Sequence, residues 1–104
     1  MARRRRMRSN FGAPPEAHRK LAGKERELAD EAAGAAIRDA GQGRCDDAVR
    51  AFKRAAHHHG GMFAHILSLA GSEREGYDTS YNHIAKRVDA AGEAVGACFL
   101  RKKR

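Results

Sequence analysis

Tryptophan is absent from this 104-residue sequence, proline occurs only as the adjacent pair Pro14 and Pro15, and cysteine occurs only at Cys45 and Cys98. Each scarcity excludes something. With no proline beyond residue 15, nothing later in the chain forbids a helix on backbone grounds. Two cysteines are too few to define a disulfide framework, so a reducing compartment is the default expectation. The longest uncharged apolar run, Ala94 to Leu100, is too short for a membrane span, and no apolar stretch follows the arginines of the opening segment. Neither a signal peptide nor membrane insertion is therefore expected. Early acids, Glu16, Glu25, Glu27, Asp30 and Glu31, argue against a mitochondrial presequence. No glycine-rich phosphate loop follows a strand and no nucleophile motif occurs. The carboxylate pairs Asp30-Glu31 and Asp46-Asp47 are explained by surface and helix-end electrostatics. An enzyme is not expected, and no cofactor is called for.

What the chain has in excess is positive charge, and that charge is localised. Against a net charge of +8, residues 1 to 8 carry Arg3, Arg4, Arg5, Arg6 and Arg8, and residues 101 to 104 carry Arg101, Lys102, Lys103 and Arg104, which together exceed it. The remaining 12 Lys and Arg stand against all 13 Asp and Glu, which leaves the middle about neutral. The pattern is a balanced body with two cationic ends.

Residues 1 to 13 lack periodicity and read as an extended arm. A first helix is predicted over about 15–40. Pro15 suits its first position, Glu16 faces the positive end of its dipole, and Gly41 and Gly43 stop it. Its apolar stripe is read as Leu21, Leu28 and Ala35, flanked by Ala17, Ala32 and Ala36. A second helix is predicted over about 44–70, with Cys45, Val49, Phe52, Ala56, His59, Phe63, Ile66 and Ala70 at alternating four and three spacings. A second row beside it holds Ala48, Ala55, Met62 and Leu69. The pair Gly60-Gly61 costs roughly 1 kcal/mol per glycine in a helix interior, but the heptad phase continues past it, so the helix is expected to run through. Residues 71–76 read as a polar loop, with Asp78 or Thr79 as N-cap. A third helix is predicted over about 78–100, carrying Tyr81, Ile84, Val88, Ala91, Val95 and Cys98, with Phe99 alongside. Three such segments most simply fold as an all-α, antiparallel up-down-up three-helix bundle with basic extended tails. The seam between the second and third helices is expected to be the better specified.

The stretch Gly43-Arg44-Cys45-Asp46-Asp47-Ala48-Val49-Arg50-Ala51-Phe52-Lys53-Arg54-Ala55-Ala56 resembles the second helix of a tetratricopeptide repeat. The resemblance implies Ala48, Phe52 and Ala55 on the packing face, with Ala32, Ala35 and Ala36 as the small contacts of the preceding helix. Gly60 stands where the repeat usually has proline, and no second copy occurs, so the likeness implies hairpin geometry and not a peptide groove. The opening, Arg3 to Arg6 followed by Asn10-Phe11-Gly12-Ala13-Pro14-Pro15 and His18, is similar to the start of small arginine-rich bacteriophage proteins. By that analogy alone a virion or packaging role is implied.

The basic tails are the strongest functional signal. Each cation set near a phosphate releases condensed counterions, and arginine forks onto phosphate oxygens with paired hydrogen bonds. The tails hold few side chains suited to base edges, so binding is expected to be sequence-independent. The histidines His57, His58, His59, His65 and His83 do not read as a metal site, because neighbours on a helix point about 100° apart. His59 is expected as a core histidine hydrogen-bonded within the bundle, with His57 and His58 partly exposed. Cys45 and Cys98 fall at the same end of the bundle, with Cys98 facing Val49 about one turn from Cys45. Buried thiols are favoured over a disulfide, which would need a modest adjustment of the Cα separation.

The sequence thus predicts a structural protein that binds nucleic acid through Arg3, Arg4, Arg5, Arg6, Arg8, Arg101, Lys102, Lys103 and Arg104, inside a virion or a cell. The rival expectation is a helical interaction module whose tails dock on acidic protein surfaces, with capsid or other assembly proteins as partners. Self-association is left open, and membrane attachment is not expected from a neutral body.

Overall fold

A computed structural model describes residues 14–69 and 71–103 of the chain. Among these residues the architecture is all-α: three long helices, α1 (Pro15–Gly41), α2 (Cys45–Leu67) and α4 (Asp78–Lys102), with one short turn of helix, α3 (Gly71–Glu75), between the last two. They form an antiparallel up-down-up bundle. His18 at the start of α1 meets His65 at the end of α2, and Cys98 near the end of α4 meets Cys45 at the start of α2.

Local chemistry sets the ends. Pro15 opens α1 at the position where a missing N–H costs nothing. The Pro14 carbonyl accepts the Ala17 N–H at 2.9 Å. Gly43, at φ +79°, takes the left-handed conformation that reverses the chain into α2. Helix α2 runs through its glycine pair as the heptad phase predicts. A Cβ at Gly61 would lie 2.7 Å from the Glu25 carboxylate oxygen on α1, so the Glu25 side chain would have to shift to admit one. Two local expectations are corrected. The segment 71–76 is not wholly loop: residues 71–75 are helical, and the Arg74 Nε–H donates to the Leu69 carbonyl at 2.9 Å. The N-cap of α4 is Tyr77, with no side-chain capping bond, rather than Asp78 or Thr79.

The packing differs more. On α1 the buried residues are His18, Ala22, Ala29, Ala32, Ala33, Ala36 and Ala40; the expected flanking residues Ala32 and Ala36 are among them, but the stripe's centre lies one position on, with Leu21 42% exposed and Leu28 and Ala35 half-buried. On α2 the row expected to be secondary, Ala48, Ala55, Met62 and Leu69, is buried throughout. Of the row expected to be primary, only Cys45 and Ile66 are buried among the described residues, while Ala56 and Phe63 are exposed. One physical cause covers both corrections. Helices that meet through alanine approach at the short end of the usual 8–10 Å range. Where alanine lines the seam, large side chains stand at its margins, and Met62, Ile66 and Ile84 are accommodated only toward one end.

The middle of the core is accordingly a cluster of alanines, Ala32, Ala33 and Ala36 on α1, Ala51 and Ala55 on α2, and Ala91 on α4. Larger side chains fill one end, where Met62, Ile66 and Ile84 pack with Ala22 and Ala29. Contact is most extensive between α1 and α2 and least between α2 and α4, which reverses the expected ranking of the seams.

The two cysteines are joined, contrary to the expectation of free thiols. Their Cα atoms lie 5.7 Å apart, within the ordinary span of a disulfide, so no backbone adjustment is needed. Counting residues outward from the connection between α2 and α4 placed them one turn apart, because it took no account of α3.

Candidate nucleic-acid interface

Arg3, Arg4, Arg5, Arg6, Arg8 and Arg104 lie outside the described residues. In the described part of the basic set, Arg101 and Lys102 form the last residues of α4 and Lys103 caps it, all exposed, so the C-terminal basic segment begins as helix and not as the extended tail expected from residue 101. Arg101 is partly committed to the fold. Its Nη2–H donates to the Ala40 carbonyl at the end of α1, at 2.8 Å. A guanidinium placed on the last carbonyls of a helix is favoured by the dipole, and its other N–H groups are left for a ligand.

The bundle holds the two basic segments apart. Residue 14 enters α1 at the end marked by His18 and His65, while Arg101 leaves α4 at the end marked by the disulfide and Ala40. A helix of 27 residues separates these ends by about 40 Å. Between them, several body cations are spent on acids: Arg44 on Asp39 at 2.6 Å, Arg50 on Asp47, and Arg87 on Asp30 at 2.8 Å. These pairs are solvent-exposed and add little stability, but they neutralise the middle locally.

The histidines take separate structural partners. His58 Nδ1 lies 2.8 Å from Glu25, and His59 stacks on Tyr81 with ring centroids 4.4 Å apart. His59 is half-buried, and its Nε2 has no hydrogen-bond partner among the described residues, so the expectation of a hydrogen-bonded core histidine is corrected. His57 is exposed. Among the described residues no three His, Cys, Asp or Glu side chains converge on a point that could hold a metal ion.

The sequence reading missed His18, which is buried at 2% exposure with its Nδ1 3.2 Å from that of His65. Its place in the row with Ala22, Ala29 and Ala36 was the available signal. One of the two Nδ1 atoms must carry the proton that bridges them. His18 Nε2 is buried without a partner, and an unpaired lone pair is easier to bury there than an unpaired N–H. That assigns the bridging proton to His18 and the acceptor role to His65. Since His18 contributes mainly volume, His18→Leu is expected to stay within about 1 kcal/mol of the parent in urea unfolding, whereas His18→Ala leaves a cavity and costs about 2–3 kcal/mol. Equal losses in the two variants would show that His18 contributes more than volume.

No helix among the described residues is long and apolar enough to cross a membrane. Compared with protein-family models, with curated proteins and with solved structures, the chain matches none.

Proposed function

We propose that this chain is a non-enzymatic structural protein that associates with nucleic acid, independently of sequence, through its two basic segments, as a virion or packaging component of a bacteriophage. The observation that carries this reading is the segregation of charge: nine cations in residues 1 to 8 and 101 to 104, beside a body whose Lys and Arg are matched by its acids. The fold supports it by setting the attachment points of those segments at opposite ends of a stiff bundle. A polyanion engaged at both ends would lie along the bundle over about 40 Å, roughly 12 base pairs of duplex at 3.4 Å per step. The phage assignment leans on the resemblance of the opening segment.

Titration with duplex DNA at several salt concentrations tests the proposal. Engagement of all nine cations gives a log–log slope near −8, and removal of residues 1 to 8 leaves four cations and a slope near −4, since each contributes about −0.9. A flat salt response in the full chain would sink it. If DNA binding is flat while the same deletion releases the chain from an acidic protein, the tails are protein-docking elements instead.

A further inference from the structure

The most regular heptad row on α2, through Val49, Phe52, Ala56, His59 and Phe63, is left at the surface. Ala56 and Phe63 are exposed and the other three only half-buried. The row follows the outer groove between α2 and α4. Phe52 lies against Gly92, and both His59 and Phe63 pack on Tyr81. Leu67, one turn beyond Phe63, and Phe99, two turns beyond Gly92, extend the stripe and are 48% and 38% exposed. Large apolar side chains continuous along a whole bundle face mark an interaction surface, unlike single ones scattered over a protein.

We propose that this α2–α4 face is covered by the same face of a second copy of the chain, related by a two-fold axis parallel to the helices. Charge selects that occupant. Lys53 and Asp89 are both exposed on this face, and neither forms an ion pair among the described residues. The register of the two helices is fixed by Cys45 against Cys98, Phe52 against Gly92 and Phe63 against Tyr81. Continuing it puts Lys53 level with the turn that carries Asp89.

A two-fold axis along the bundle sets α2 of one copy antiparallel to α4 of the other with levels preserved. Lys53 then meets Asp89 of the second copy, and the reciprocal pair forms by symmetry. An axis across the helices would instead bring Lys53 near Lys53 and Asp89 near Asp89, because both lie near mid-helix, and like charges at close range repel. Ala56 and Gly60 on α2, and Ala85 and Gly96 on α4, give the backbones room to approach. A two-helix face about 35 Å long and roughly 17 Å wide buries on the order of 1,200 Å² over both copies, the lower end of specific interfaces.

Sedimentation equilibrium of the full chain, freed of nucleic acid and at about 0.15 M salt, tests the proposal. A monomer–dimer equilibrium is expected. Phe63→Glu should abolish it. Lys53→Glu and Asp89→Lys should each weaken it about tenfold or more, while the combined charge swap restores it. Circular dichroism of each variant checks that these exposed substitutions leave the bundle folded. A chain that remains monomeric at about 100 μM, or a dimer that survives Phe63→Glu or ignores the charge reversals, overturns it.

Discussion

Replacing Cys45 and Cys98 together by alanine is expected to remove about 4 kcal/mol of stability, the loop-entropy value for a bridge spanning 53 residues. Domains of this size hold about 5–15 kcal/mol in all, so the variant should sit near its unfolding threshold, with a melting temperature lower by more than about 15 °C. The effect is large because of where the bridge lies. It joins α2 to α4, the pair with the least extensive contact, whose other direct packing comes from Met62 and Ile66 with Ile84, Ala51 and Ala55 with Ala91, Phe52 against Gly92 and the His59–Phe63–Tyr81 group. Urea unfolding of parent and variant under non-reducing conditions decides the matter. A difference under about 1 kcal/mol would mean that the bridge does not constrain the unfolded chain as assumed here.

A loss of about 3 kcal/mol or more is expected for Ala55→Leu, against a change within about 0.5 kcal/mol for its neighbour Ala56→Leu. Ala55 is fully buried among the alanines of all three long helices. Three added carbons there have to displace the alanines packed around it. Ala56 is exposed, so leucine there extends over the surface. The contrast is diagnostic because the four-three pattern of α2 places Ala56, and not Ala55, in the principal seam. Thermal or urea unfolding at low protein concentration measures it, and a costlier Ala56→Leu would restore the seam read from the pattern.

How much of this molecule was legible in its residues depends on residue size. The helices and their order follow from Pro15, from the Gly41–Gly43 stop and from the absence of later proline, and these are backbone effects that act whatever the packing. Rotational phase was misread because periodicity was weighted toward large side chains, Leu21 and Leu28 on α1 and Phe52 and Phe63 on α2. In a seam made of alanine the weighting inverts, and the small residues go in. The disulfide was obscured for a related reason, since whether two cysteines on facing helices meet depends on a register that the helical turn at 71–75 shifts. For the candidate interface, composition alone named the nine cations. It could not show that Arg101 also ties α4 to the end of α1, since that contact joins residues 61 apart in sequence.

The disulfide closes a covalent ring that contains nearly all of α2 and α4 and leaves α1 outside. The first helix is therefore fastened to that ring by its alanines, packed on α2 and α4, and by a few polar clasps: His18 to His65, Glu25 to His58, Asp30 to Arg87 and Ala40 to Arg101. Tension applied through the segment before Pro14 would load α1 and peel it away while the ring stayed intact. The same tension applied beyond Lys103 would meet the α4 end of the bridge at once. The rod is mechanically polar, with a yielding end and a resistant one.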